Sequence, residues 1–585
     1  MKASAEITFE GLGVSPGIAV GPAYLREAGA LDVPVYKISR GKAAVAHEQK
    51  RLSAAVILAR RQIKRLKDDA RLDAVTGDMD FLFDAYLQML DDSRLVRGAA
   101  EQIACDRQNA EAAVQDQLND IVHAFQAMDN AYIAARVEDV RDVGNRIIRN
   151  LMREPLKPFS QAPRGAVIVA HQLSPADTAQ LDPKRIAGAV TAVGGAEGHA
   201  AIMARALGIP MVLGVPAIAG RIDPGDTVIV DGTRGVVVVN PGASTLGAYE
   251  QLRTDAIREA EKLGHMRTVP AMSKDRIQVA LQANVELPIE MDMVRRTGAE
   301  GIGLLRTEFL FMGRDDVPGE DEQFAILREI IDAMEGKPVT VRTLDVGGEK
   351  PAQALLGDLG EAAASALGLR GIRLSLNRRD TLETQLAAIL RAACHGPVRI
   401  LLPMVSTTAE VRQARDTMKK VVTRMKRRKQ PLPNPLPPLG VMIEVPAAAL
   451  SADALAQVSD FFAIGSNDLT MYTLATDRTN EHVAHLYDPL HPAVLRLIQF
   501  AAHAALRARI PISVCGEMAG DPRYAPLLLG LGLLEFSMAP MNIPLVKQKV
   551  RSLDMAAASR RADAIMGQVD PGRIAALLDD FNDES

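Results

Sequence analysis

The sequence predicts a multidomain α/β protein. An N-terminal α/β domain, interrupted by an inserted α-helical bundle, precedes a C-terminal (β/α)8 TIM barrel. Three observations carry that expectation. A chain of 585 residues exceeds what one hydrophobic core supports, so several domains are expected. The apolar spacing changes from a strand period to a helical period near residue 31 and back near residue 150. The last half of the chain then repeats an apolar strand followed by a helical stretch eight times, the pattern of a closed barrel.

Taken in order, residues 11–25 read GLGVSPGIAVGPAYL, a Gly-rich, β-branched segment of strands and turns. From Ser39 to Arg153 proline disappears, and Ala, Arg, Lys, Glu, Gln, Leu and Met dominate. HEQKRLSAAVILARRQIKRL and DFLFDAYLQML read there as amphipathic helices. From Gly165 the runs AVIVA, IAGAVTAV, MVLG and DTVIVDG alternate with short helical pieces. Neither this stretch nor the opening segment can stand alone. The simplest topology joins 1–30 and 150–243 into one discontinuous α/β domain with 31–149 inserted as the bundle. A polar helical stretch, 244–268, reads as a linker. Residues 269–575 carry the barrel strands IQVALQANV, GIGLLRT, VTVRTLDVG, VRILLPMV, LGVMIEV, FFAIGSND, ISVCGEM and LEFSMAP, and the chain closes on a short acidic tail, DDFNDES.

Composition excludes several classes of function. A net charge of −4, 4% aromatic content and no Trp supply neither a basic field nor stacking platforms, so nucleic acid is not expected. No run of about 18 apolar residues occurs, so no membrane insertion is expected, and the N-terminus lacks the apolar core of a signal peptide. The three cysteines form no disulfide framework and suit a reducing cytoplasm. Cys105 and Cys394 read as packing residues.

A barrel places its chemistry at the C-terminal ends of its strands. There the sequence has Arg306, Thr307 and Glu308 after strand two, Arg342 and Asp345 on strand three, and Glu444 on strand five. Asn467 and Asp468 follow on strand six, with Arg478 one short loop later, and Cys515 and Glu517 on strand seven. Guanidinium forks match phosphate and carboxylate oxygens. Carboxylates on neighbouring strands suit Mg²⁺, which keeps positions open for substrate oxygens. A thiol at the same rim can pass one proton. Singly, each has a bland explanation: an ion pair, a helix cap, an inert buried thiol. Together they point to phosphoryl transfer from a small carboxylated phosphate ester. In the α/β domain, VGGAEGHAAIMARALGIPMVLG sets His199 after a strand and two glycines, at the opening of a helix. It can be a capping or loop histidine, or an imidazole that carries phosphate near the positive helix end.

These motifs resemble a known family. GGAEGHAAIMAR is similar to the phosphohistidine signature of phosphoenolpyruvate-utilising enzymes. IEVPAAA, IGSNDLTMYTLATDR, CGEMAGD, GIGLLRTEFLFM, VRTLDVGGEK, GVSPGIAVGPA and DVRDVGNRIIRN are similar to segments of its enzyme I branch, which serves the bacterial sugar phosphotransferase system. The likeness runs in order along essentially the whole chain. It implies that the α/β domain is a swivelling phosphohistidine domain and that Arg306, Arg342, Asn467 and Arg478 bind phosphoenolpyruvate, with Asp468 beside them. Glu444 and Asp468 would ligate Mg²⁺, Cys515 would protonate the enolate to give pyruvate, and His199 would accept phosphate through Nε2. Thr178 would place a hydroxyl near the phosphohistidine. The helical bundle would dock the histidine-containing phosphocarrier protein, and the barrel would form a homodimer. One departure is local: many members carry Thr-Ser before the histidine, where this chain has Glu197 and Gly198. ATP-using relatives need a large nucleotide-binding domain ahead of the histidine. The sequence offers only about 115 helical residues there and no GxxxxGK[ST] loop. A paralogue serving a nitrogen-related carrier, or a scaffold that keeps the fold without turnover, are the remaining alternatives.

Overall fold

The structure is a computed structural model. It describes residues 6–26, 33–39, 41–72, 83, 86–91, 93–126, 131–153, 159–178, 180–194, 199–218, 220–311, 316–346, 365–477 and 482–584. The chain divides into two compact units, Met1–Arg258 and Glu259–Ser585.

The first unit holds an eight-stranded sheet and a set of helices. Its strands are β1 (Ile7–Glu10), β2 (Leu12–Ser15), β3 (Ile18–Arg26), β4 (Ala166–Ala170), β5 (Ile186–Thr191), β6 (Met211–Leu213), β7 (Thr227–Asp231) and β8 (Val236–Val239). They lie in the order β1-β8-β7-β3-β4-β5-β6-β2. The long β3 occupies the centre, antiparallel to β7 and parallel to β4, so the opening residues and those after residue 165 share one sheet. Between β3 and β4 run the helices Lys42–Leu72, Arg94–Asp106, Ala110–Gln126 and Ala131–Met152. In Arg94–Asp106 the buried residues Leu95, Ala99 and Ile103 recur every fourth position, giving one apolar stripe. Ser93 caps its start by accepting the Val96 N–H. These helices enclose their own core around Leu52, Ile63, Phe83, Tyr86, Val143 and Ile147, distinct from the two apolar layers of the sheet.

The second unit contains a closed barrel of eight strands: β9 (Ala280–Val285), β10 (Ile302–Leu305), β11 (Val339–Arg342), β12 (Val398–Leu402), β13 (Leu439–Ile443), β14 (Phe462–Gly465), β15 (Ile512–Cys515) and β16 (Glu535–Met538). Every pairing is parallel, and β16 closes onto β9. Parallel strands covered on both faces must be apolar throughout; β10, β11, β13 and β14 are buried at every position. Each expected barrel run contains one of these strands. The interior holds its own small cluster of Leu304, Leu401, Met442, Phe461, Ala463 and Cys515.

Three details differ from the sequence reading. VVVV at 236–239 forms β8, which the alternation of strand and helix does not announce because only a turn separates it from β7. The expected acidic tail is instead the end of a helix, Pro571–Glu584. Its Ile574, Leu578 and Phe581 are buried in the barrel's core, while Asp579, Asp580 and Asp583 are exposed. Cys105 and Cys394 are exposed rather than packed inside, since each lies near the solvent end of a helix. Among the described residues no helix is long and apolar enough to cross a membrane.

Candidate active site

The residues at the C-terminal rim of the barrel form a chain of alternating charge. Arg342 ends β11, buried. Its Nη2 donates to Glu308 Oε1 at 3.0 Å, and its Nη1 lies 3.1 Å from Asp345 Oδ2. Backbone contacts fix where it stands: Thr307 Oγ1 donates to the Arg342 carbonyl at 2.8 Å, and buried Gln385 donates to Thr307 Oγ1 while accepting the Leu344 N–H. Glu308 Oε1 also accepts the Asp345 N–H at 3.0 Å. Two buried atoms in this chain, Glu308 Oε2 and Arg342 Nε, have no hydrogen-bond partner. Unsatisfied buried polar atoms are uncommon and mark a place where a ligand or water completes the set.

The next link was not foreseen. Arg370, from the segment between β11 and β12, crosses the mouth. Its Nε and Nη2 donate to the two Asp345 oxygens at 3.1 and 3.2 Å, and its Nη1 and Nη2 donate to the two Asp468 oxygens at 3.2 Å each. Its Nη1 also donates to Tyr472 Oη at 3.1 Å. Gly371 follows with φ 57°, a conformation that favours glycine; a Cβ there would come 3.1 Å from Asp345 Oδ1. Arg370 escapes a search of strand ends because it stands on irregular backbone just before the helix Ile372–Asn377.

Asp345, Glu444 and Asp468 each offer an oxygen within 4.8 Å of the others. Asp345, which sequence leaves without a role, thus joins Glu444 and Asp468. Glu444 directly follows β13 and is oriented by the Met404 N–H, 2.6 Å from Oε1. Burial, then the charges of Asp468 and Asp345, push its pKa up to about 8, against the opposing pull of Arg342 and Arg370. Burial also works against the charge of both arginines, but the surrounding carboxylates hold their pKa values above the ordinary range. A carboxyl raised by neighbouring carboxylates is a group short of cations. Three oxygen donors of this kind fit a hard divalent ion.

Asn467 and Asp468 sit in the first turn of the helix Ser466–Leu474, which opens where β14 ends. Asn467 is clasped from β15's side: its Oδ1 accepts the Glu517 N–H at 3.0 Å and its Nδ2 donates to Glu517 Oε1 at 3.3 Å. Glu517 begins a short helix rather than continuing the strand. Cys515 ends β15, 2% exposed, with its thiol toward the Ile464 carbonyl at 3.5 Å. Burial, followed by Glu444, pushes the thiol up to about 12, with Arg342 and Arg306 opposing. The thiol therefore carries its proton at neutral pH. Arg306, just past β10, pairs with Glu286. Arg478 lies outside the described residues.

In the first unit, the helix His199–Leu207 begins at the expected histidine. Residues 195–198 and the His199 side chain lie outside the described residues. Thr178 ends the short helix Pro175–Thr178 and is fully buried, its Oγ1 donating to the Ser174 carbonyl at 3.3 Å. Next to it, Asp177 forms a buried pair with Arg26 at the end of β3.

Comparison with known proteins finds relatives along nearly the whole chain. Family models for the PEP-utilising enzyme N-terminal domain, mobile domain and PEP-binding domain match residues 10–136, 162–235 and 260–555. The chain is 41% identical over 564 residues to a phosphoenolpyruvate-protein phosphotransferase of Geobacillus stearothermophilus, covering 96% of each chain. It is 39% identical to one from Cupriavidus necator, covering 97% of this chain and 98% of that one, and 38% identical to one from Bacillus subtilis, covering 97% and 99%. A solution structure titled enzyme I (nEIt) aligns at 32% identity over 42% of this chain and 99% of that one, with a TM-score of 0.37. Three matched segments in sequence order, and likeness along nearly the full length of both partners, lead to one conclusion: the chain belongs to the family of phosphoenolpyruvate-utilising enzymes.

Proposed function

We propose that the chain is a phosphoenolpyruvate-protein phosphotransferase. It moves the phosphoryl group of phosphoenolpyruvate to its own His199 and then to the histidine-containing phosphocarrier protein, releasing pyruvate. The observation that carries this reading is the barrel rim, where Arg342 and Arg370 alternate with Asp345, Glu444 and Asp468, beside a protonated thiol.

Arg306, Arg342 and Arg370, with Asn467 and Arg478, hold the substrate's phosphate and carboxylate and balance charge on the phosphoryl group as it departs. Glu444 and Asp468, joined by Asp345, would hold Mg²⁺. When bound, the ion supplies positive charge to substrate oxygens and relieves the repulsion among these three carboxylates. His199 Nε2 attacks phosphorus in line; the N–P bond forms as the bond from phosphorus to the enol oxygen breaks. The enolate carbon takes the Cys515 proton, giving pyruvate, and solvent later restores the thiol. Transfer requires the His199 imidazole to reach this rim and afterwards the carrier protein, with the Thr178 hydroxyl assisting at the phosphohistidine. A homodimer formed through the barrel, and a cytoplasmic location, complete the proposal on family grounds.

Incubation with ³²P-labelled phosphoenolpyruvate and Mg²⁺ tests it. Acid-labile label on the wild type, absent from His199→Ala and passed on to a histidine-containing carrier, is expected. Absence of label from the wild type would reject turnover and favour a scaffold.

A further inference from the structure

We infer that Tyr472 is a positioning residue for phosphoenolpyruvate binding, acting through Arg370; this rests on the barrel rim being the phosphoenolpyruvate site. Arg370 stands on irregular backbone just ahead of the helix Ile372–Asn377, and groups outside its own segment fix its guanidinium. Asp345 and Asp468 do so with four hydrogen bonds. Both, however, also belong to the three-carboxylate cluster. An ion drawn to those carboxylates competes with Arg370 for the same oxygens, and the arginine then needs a partner that no cation takes away.

Tyr472 is the neutral member of Arg370's set. Its hydroxyl has one proton and two lone pairs. The proton goes to the Ala366 carbonyl at 2.6 Å, which leaves a lone pair to accept Arg370 Nη1 at 3.1 Å. One oxygen thereby ties two points of the 365–371 segment to the helix Ser466–Leu474, the same helix that presents Asn467 and Asp468. Tyr472 lies one turn beyond Asp468, so it projects on the same side as that carboxylate. A neutral partner also leaves the guanidinium charge free for an anionic substrate, which a third carboxylate would not.

Calorimetric titration of phosphoenolpyruvate with Mg²⁺ into full-length protein carrying His199→Ala, which lacks the phosphoryl acceptor, tests this. Tyr472→Phe is expected to weaken binding roughly ten- to hundredfold, the loss of a hydrogen bond to a charged group, with little change in the melting midpoint. In an Arg370→Lys background the same change should cost less than twofold, because the residue it acts through is gone. Equal losses in both backgrounds, unchanged binding on Tyr472→Phe, or a loss matched by a lowered midpoint would each overturn the inference. Absence of binding when Tyr472 and Arg370 are intact would instead reject the functional reading beneath it.

Discussion

Cys515 and Glu444 both carry protons that a solvent-exposed copy would not hold so firmly, and each has a measurable consequence. A thiol raised to about 12 by burial is a poor nucleophile, and it keeps a proton in place for a strongly basic carbanion to take. Cys515→Ala should therefore lower pyruvate formation by about 10²- to 10⁴-fold, the usual contribution of a positioned acid, with little change in phosphoenolpyruvate affinity. Unchanged turnover would remove the thiol from the chemistry. In the native protein, iodoacetamide should label exposed Cys105 and Cys394 and spare Cys515 until the fold is opened, as peptide mass analysis would show. For Glu444 the sign follows from its raised folded pKa. Between about 4.5 and about 8 the folded state binds a proton that the unfolded state has released. Stability from this group is full below the lower value and is lost as pH rises through the upper one. Metal-free protein should thus melt at lower temperature at pH 9 than at pH 5, and Glu444→Gln should flatten that slope. A slope identical in both proteins would assign it to other groups.

At the scale of elements, the ends of β14 and β15 show how little room the rim leaves. Gly516 has φ 141°, and a Cβ there would stand 2.2 Å from Ser466 Oγ. Gly516→Ala should cost ~1–3 kcal/mol through backbone strain alone. It should also weaken phosphoenolpyruvate binding, because the Asn467–Glu517 clasp bridges these two ends. Urea unfolding and titration of one sample would separate the effects, and a fully stable, tightly binding variant would contradict both. The barrel strands were legible because each is an apolar run fixed by burial on both faces, and the strand-end rule then located Arg306, Arg342, Glu444, Asn467, Asp468 and Cys515. Arg370 and Tyr472 were not legible. Arg370 lies in a segment without periodicity, and Tyr472 looks like an ordinary half-buried aromatic of a helix. What gives them meaning is a contact across 102 residues of chain, which no local pattern encodes. The Pro571–Glu584 helix was missed for a related reason: only Ile574, Leu578 and Phe581 bury fully, and that short stripe does not outweigh the acids until the barrel supplies something to pack against.

For the whole molecule, the division into Met1–Arg258 and Glu259–Ser585 bears on where ligand energy is felt. The rim carboxylates and the described arginines all belong to the second unit, whose large core is built from its own residues alone. His199 and the helices between β3 and β4 belong to the first, with separate cores. A ligand that binds one folded unit stabilises that unit by mass action, by about 2.7 kcal/mol at a concentration one hundred times its dissociation constant. Scanning calorimetry of the full chain, with His199→Ala to block turnover, should therefore show two transitions. Phosphoenolpyruvate with Mg²⁺ should raise the barrel's transition and leave that of the first unit in place. Assigning the transitions needs only Gly516→Ala, which should lower the barrel's alone. If the ligand instead moved both together, the substrate would be gripped by groups from both units at rest, and the separation of phosphoryl donor site from acceptor histidine on which the proposed cycle depends would be wrong.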